Sequence, residues 1–343
     1  MKLLISALEP SANAHLKPLF DRLGSVECAG IFSPEFGEPL YDSALFSTMG
    51  FVGVISKIPL AQKALKAMTE LAADCDCVLL IDSPAFNIHL AKAIKKRYPS
   101  KKIIYYILPQ VWAWKAKRIP VVEAYTDIQA VILPFEKKWW KHGCYVGHPL
   151  MEEIAEFKES VATEEIYAFL PGSRAGEIER IFPVFREAAA ALSGRKLLIV
   201  PRHFDDAKVA KLYGETSGFE IVREAHDAIR AAKFAFVCSG TATLETALIG
   251  TPFVLAYRAK PLDYMIATRF VKLSFAGLAN LIFQNEGLPP MHPEKIQADC
   301  TAQALIDCAQ TANAHEFLER SRQLRHLLSG REYHIADLIR RNS

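Results

Sequence analysis

Polar and charged residues gather where apolar runs stop, and each such place suggests chemistry. The run CVLLI ends at Asp82, followed by Ser83, Pro84, Ala85, Phe86 and Asn87. A carboxylate there can serve as a general base or ligand contact, or can cap the helix that follows. The first run, KLLISAL, is followed by Glu9, Pro10, Ser11, Ala12 and Asn13. Glu9 is a second carboxylate at a strand end, and Ser11 suits either a helix N-cap or a substrate contact. No G-x-G-x-x-G follows this run, which disfavours a nicotinamide dehydrogenase. A further run, KIIYYIL, enters Pro109-Gln110-Val111-Trp112-Ala113-Trp114, with Lys115, Lys117 and Arg118 beyond. The two indoles either plug the space beneath a cleft or line an acyl or sugar site, since indole offers area and one donor.

The second half repeats the pattern with different residue types. IYAFL leads into Pro171, Gly172, Ser173 and Arg174. Glycine permits close backbone approach, a helix start offers free N–H groups, and arginine adds a forked cation. That combination suits a phosphate and lacks a Walker lysine. FAFVC leads into Ser239, Gly240, Thr241, Ala242, Thr243 and Leu244, with Glu245 a little over one turn into the next helix. Glu245 suits the two hydroxyls of a ribose, or simply complements a helix dipole. A diphosphate site and a ribose carboxylate in the second half, with a base in the first, is the division of labour of a GT-B nucleotide-sugar enzyme.

The elements that must position these residues alternate strand and helix. The apolar runs predict strands over 2–8, 26–32, 75–82, 102–108, 128–133 and 144–147. Helices are expected near 11–23, 57–72, 86–97, 115–124 and 135–142. Runs apolar on both faces and separated by helices imply a covered parallel sheet. The charged stretch 152–165 reads as a linker, after which a second βα series restarts. The expected fold is α/β, GT-B type: two doubly wound, Rossmann-like parallel-sheet domains facing a cleft, with a helical C-terminal tail. The domains are 1–155 for acceptor and base, 160–300 for a UDP-sugar donor, and a tail over 301–343 that could pack back onto the first domain. At 343 residues the chain is long enough for both.

Six segments then carry a resemblance. They are DSPAFN from Asp82, PQVWAW from Pro109, LPFE from Leu133, VGHPL from Val146, LPGSR from Leu170, and SGTA from Ser239 through to Glu245. In this order they resemble the signatures of lipid-A-disaccharide synthases, over about residues 1–285. The resemblance implies an inverting transfer that needs no metal and no cofactor. UDP-2,3-diacylglucosamine is the implied donor and 2,3-diacylglucosamine 1-phosphate the implied acceptor, giving lipid A disaccharide 1-phosphate and UDP. The family's essential aspartate falls on Asp82, its essential arginine on Arg174 and a family asparagine on Asn280. The chain departs at the first turn, usually G-E-x-S-G-D, where Ala12 and Asn13 stand, and at Ala85, usually acidic. Both departures remove carboxylates from the first domain and leave Asp82 and Glu9. His148 and His89 are weaker candidates for the base.

Composition bounds the alternatives. A net charge of +3 does not suggest bulk nucleic-acid binding. No run approaches the ~18 apolar residues of a membrane span, and the short apolar start, ended by Glu9 and Pro10, is not a signal peptide. A cytoplasmic enzyme is therefore expected, and the acylated substrates that the resemblance implies would make it peripheral at the inner face of the inner membrane. Residues 51–68 set Lys57, Lys63 and Lys66 among Ile55, Ile58, Leu60, Leu65 and Met68. That is either an interfacial segment for anionic lipid or an ordinary half-buried helix. The seven cysteines are odd in number and irregular in spacing, so buried thiols are expected, the Cys75-x-Cys77 pair included. Two readings compete: a UDP-sugar 2-epimerase-like enzyme of the same architecture, and a non-catalytic two-lobed ligand-binding protein. Oligomeric state stays open, a homodimer included.

Overall fold

A computed structural model of the chain describes residues 1–46, 58–260 and 273–343. It falls into two compact units, Met1–Glu153 with Leu328–Ser343, and Ile154–Leu327. The first is built on β1 (Lys2–Ala7), β2 (Glu27–Phe32), β3 (Tyr41–Asp42), β4 (Cys77–Ile81), β5 (Lys102–Tyr106), β6 (Ile128–Val131) and β7 (Gly143–Tyr145). These lie in the order β3-β2-β1-β4-β5-β6-β7, all pairings parallel.

Successive side chains of a strand point to opposite faces, so an apolar run feeds two cores. Leu4, Val78 and Leu80 enter one, with Ala64 and Met68 of α3 (Ile58–Leu71) and Leu90 and Ile94 of α4 (Pro84–Arg97). Leu3, Ile5, Leu79 and Ile81 enter the other, with Ala12 of α1 (Pro10–Ala14), Leu16 and Leu19 of α2 (Leu16–Leu23) and Ile339 of the last helix, Ile335–Arg341.

Local departures from the expected elements have local causes. The helix expected over 11–23 breaks at His15, because Pro18 lacks an N–H and its ring crowds the carbonyl of Ala14. Ser11 does not cap it. Pro10 takes the first helical position and Glu9, extended at φ −104° and ψ 151°, takes the cap. The stretch 115–124 becomes a 3₁₀ turn, Ala116–Arg118, followed by α5 (Ile119–Tyr125), with Pro120 at the start of the true helix. The stretch 135–142 is only a 3₁₀ turn, Pro134–Trp139, ended by extended Trp140. Helix α6, Leu150–Glu153, closes the first of this unit's two chain segments.

The second unit contains β8 (Ile166–Leu170), β9 (Arg195–Ile199), β10 (Glu220–Val222), β11 (Phe234–Cys238), β12 (Phe253–Tyr257) and β13 (Glu294–Ile296). Their order is β10-β9-β8-β11-β12-β13, again all parallel. Helices α7 (Ala175–Ala190), α8 (Asp206–Tyr213), α9 (Ala225–Ala231), α10 (Thr241–Ile249), α11 (Leu278–Asn285), α12 (Ala302–Thr311) and α13 (Ala314–Ser329) accompany the sheet, and Ile335–Arg341 is α14. Phe169 and Phe236 stack across β8 and β11 with centroids 4.6 Å apart.

The stretch 152–165 is not a freely solvated linker. Lys158 is buried, its Nζ donating to Ala232 O at 2.6 Å and Thr251 Oγ1 at 3.0 Å, and burial pushes its ammonium down to about 8. The long apolar stem lets a nominally polar residue anchor the chain. All seven cysteines are unpaired; burial pushes the Cys77 thiol up to about 12. Among the described residues no helix is long and apolar enough to cross a membrane.

Candidate active site

Each sheet reverses its strand order once, between β1 and β4 and between β8 and β11. Parallel sheets bind ligands beyond the carboxyl ends of their strands at such points. The register sets Ala7 opposite Ile81, so Glu9 and Asp82 leave neighbouring strands at nearly one level.

The turn bearing Asp82 is strained. Asp82 and Ser83 both have positive φ, 48° and 43°, a region costing roughly 1–2 kcal/mol for each such residue. The surrounding bonds enforce it. The Asn87 amide donates to Ile81 O at 3.0 Å and Asp82 O at 2.8 Å, and its Oδ1 accepts from Ser6 Oγ at 2.6 Å. Tyr105 Oη donates to Asp82 O at 2.8 Å, and Asp82 N–H donates to Tyr106 O at 3.1 Å. The main chain is thus fixed from both sides while the carboxylate stays free of cap duty. Strain held in this way clusters at functional positions. Burial pushes the Asp82 carboxyl above its ordinary range; the Ser83 N–H and nearby His15 pull the other way.

Asn13 gains a physical reason here. It is buried, with Nδ2 donating to Ala7 O at 3.0 Å and Glu9 O at 2.9 Å while Oδ1 accepts from Ser33 N–H at 2.7 Å. An aspartate would face two carbonyls with no donor. Ser11 and Ala85 are exposed at the starts of α1 and α4. His15, not anticipated from the sequence, pairs its Nδ1 with Glu153 and meets the Tyr106 ring edge-on at 6.3 Å. A partner 138 positions away leaves no local signal. His148 is buried and pushed down to about 3 by that burial, so it is neutral; its Nδ1 accepts from Leu150 N–H. His89 is an exposed residue of α4.

The two indoles divide their work. Trp112 Nε1 donates to Glu136 Oε1 at 2.8 Å, and its ring meets Phe135 edge-on at 5.2 Å. Glu136 Oε2 also accepts from Ile132 and Leu133 N–H, yet burial pushes its carboxyl up to about 7. Trp112 is therefore the anchor of its loop. Trp114 is 45% exposed, with Lys115 Nζ 4.0 Å from its ring centroid.

In the second unit, Gly172, Ser173 and Arg174 follow β8, while Ser239, Gly240 and Thr241 follow its neighbour β11. Gly172 has φ 98°, and a Cβ there would stand 2.9 Å from Glu177 Oε2, so glycine is needed for both conformation and space. Arg174 and Gly240 occupy the N-cap positions of α7 and α10, and neither helix start has a side-chain cap bond. Uncapped N–H groups are what an anion meets at a helix start. Arg174 Nη1 pairs with Glu177 Oε1 at 2.7 Å; the arginine side chain is 78% exposed and the glutamate 12%. Glu245 of α10 lies 3.7 Å from His226 Nε2. Asn280 is fully buried. Its amide donates to His292 O and Glu294 Oε1 and accepts from Met291 and His292 N–H, so it braces α11 against the segment entering β13. Two residues of α7 assigned no role from the sequence, Glu177 and Arg180, belong to its first two turns. Arg180 Nε donates to Arg258 O at 2.8 Å.

The paired doubly wound sheets define the class: this is the fold of GT-B glycosyltransferases. The calicheamicin glycosyltransferase CalG4 superposes with TM-score 0.61 at 13% identity, over 99% of this chain and 98% of that one. MurG of Acinetobacter baumannii gives 0.58 at 14%, over 99% of each. The fold is shared more widely, since a putative UDP-N-acetylglucosamine 2-epimerase from Listeria monocytogenes gives 0.56 at 13%, over 93% and 90%. Sequence decides the family. The model of the lipid-A-disaccharide synthetase family matches residues 3–340, and the chain belongs to that family. A lipid-A-disaccharide synthase of Helicobacter pylori is 46% identical over 96% of this chain and 94% of its own. One of Campylobacter jejuni is 46% identical over 86% of each.

Proposed function

We propose that this enzyme moves 2,3-diacylglucosamine from UDP to the primary hydroxyl of 2,3-diacylglucosamine 1-phosphate. The second unit holds the donor. The diphosphate lies on Gly172, Ser173 and Arg174 and the start of α7, and Ser239, Gly240 and Thr241 complete its cradle. Glu245 takes the ribose hydroxyls. In the first unit Asp82 is the base, Glu9 its rival, with Ser11 and Trp114 toward the acceptor and Trp112 holding that loop. The hydroxyl proton passes to the Asp82 carboxylate as the new C–O bond forms. The bond from the anomeric carbon to the UDP oxygen breaks and UDP leaves with the electron pair. UDP needs positive charge rather than a protonating acid, so one carboxylate suffices. Attack opposite the leaving group inverts the anomeric centre.

The observation that carries this reading is the pair of switch-point loops, one with a carboxylate on a strained turn and one with uncapped helix starts and an arginine. Incubating UDP-diacylglucosamine with the acceptor should give a disaccharide 1-phosphate by mass spectrometry, with inverted configuration by NMR. Turnover of water-soluble UDP-N-acetylglucosamine alone would favour an epimerase instead.

Acylated substrates place the reaction at a bilayer, and we extend the proposal to peripheral binding of anionic lipid through 51–68. Residues 51–57, Lys57 included, lie outside the described part. In α3, Lys63 and Lys66 are exposed and Ile58 is 47% exposed, while Ala64 and Met68 pack inward. Leu60 and Leu65 also pack against the core, so the attraction proposed for this face is chiefly that of its exposed lysines for anionic headgroups, beside the one exposed isoleucine. Replacing Lys57, Lys63 and Lys66 with glutamate should reverse the attraction, roughly 1 kcal/mol for each lysine removed. Flotation with phosphatidylserine vesicles should drop sharply; equal flotation of the triple variant would remove this segment from the membrane contact.

A further inference from the structure

We propose that Arg180 is a second cation of the donor site and contacts the nucleotide's diphosphate alongside Arg174. The inference rests on the donor-site reading above and deepens it. The charges at the loop show why a second cation is needed. Arg174 is already paired with Glu177, whose carboxylate turns inward beneath Gly172 and is 12% exposed. That pair sums to zero, so α7 starts with no net positive side-chain charge to meet a multiply charged diphosphate.

Arg180 supplies it by its seating. Its Nε donates to Arg258 O at 2.8 Å. This bond pins the guanidinium by its inner edge. A Cβ on Gly176 would stand 3.2 Å from Arg180 Nη1 and 3.3 Å from Nη2. The fork therefore lies against the first turn of α7, four residues before its own position, over the surface that glycine leaves bare. Gly176 is two residues after Arg174, in the turn that carries the uncapped N–H groups. No carboxylate among the described residues pairs with Arg180. A pinned, unpaired guanidinium loses little further freedom on binding and can offer two parallel N–H donors to phosphate oxygens.

The alternative is that Arg180 only braces the Arg258 carbonyl. Comparing UDP with uridine, using the full chain, separates the two roles. Arg180→Met keeps the apolar stem and removes the charge; Arg180→Gln keeps a donor for the Arg258 carbonyl. Both should weaken UDP binding by about tenfold to a hundredfold in calorimetry and leave uridine binding, followed by NMR titration, unchanged. A UDP Kd equal to the unaltered enzyme's in the glutamine variant would overturn the proposal. So would equal weakening of UDP and uridine, which marks a brace. Arg174→Ala is the control. If it weakens UDP and the Arg180 variants do not, the second cation is lost and the donor-site reading stands. If none of these variants weakens UDP, the donor-site reading itself falls.

Discussion

Asp82→Asn should lower kcat by about 10²–10⁴-fold, the usual contribution of a positioned general base, while leaving UDP affinity nearly unchanged. Asparagine preserves the size of the side chain and cannot take the hydroxyl proton. The turn should survive, because Asn87, Tyr105 and Tyr106 hold the Asp82 main chain and not its carboxylate. Circular dichroism should therefore be unaltered. The pH profile gives a second reading. Only the ionised carboxylate can act, so kcat rises with pH as Asp82 loses its proton. Burial raises that ionisation above the ordinary aspartate range, which places the acidic limb at a higher pH than a solvated aspartate would give. Activity is lost as pH falls through the raised value, and the asparagine variant should lack this limb. Glu9→Gln should retain most of kcat. A near-normal Asp82→Asn with a collapsed Glu9→Gln would transfer the base to Glu9.

Arg174→Ala should reduce kcat/KM by about 10²–10³-fold, comparable to losing one donor that stabilises developing negative charge, and should weaken UDP binding in calorimetry. The bond to Glu177 uses Nη1, and the arginine side chain is 78% exposed, so the rest of the guanidinium fork can meet diphosphate while the pair to Glu177 stays in place. Arg174→Lys should not restore activity, because a point charge cannot reproduce a planar two-pronged contact. Glu245→Ala should weaken UDP through the ribose alone. Normal UDP affinity in both Arg174→Ala and Glu245→Ala would move the donor site elsewhere.

Both sheets are legible in the sequence, because continuous apolar runs separated by helical patterns have few other solutions than covered parallel sheets. The strands that escaped notice, Tyr41–Asp42 and Glu294–Ile296, are edge pairs of two and three residues and too short to show a pattern. Helix starts were less secure. At Ser11 a sound cap residue lost to Pro10, whose ring already fixes the helical φ. Lys158 shows the same limit at longer range: its sequence neighbours are those of a surface linker, and its partners at Ala232 and Thr251 are distant in the chain.

The sequence by itself determined the class of chemistry, since strand ends carry their residue types locally: a carboxylate at Asp82, a glycine and an arginine at Gly172 and Arg174, an acid at Glu245. Tertiary structure decided which of these side chains are at liberty to act. Asn280, given by the resemblance alone, has its amide engaged by His292, Met291 and Glu294. Trp112 and Trp114, two residues apart, became an anchor and an exposed ring. Arg180, silent in sequence, acquired a role from a bare glycine one turn away and a carbonyl 78 positions along the chain. The physical reason is the same in each case. A residue's chemistry is its own, whereas its availability depends on whether buried partners at long sequence separation have already used its hydrogen bonds and charge.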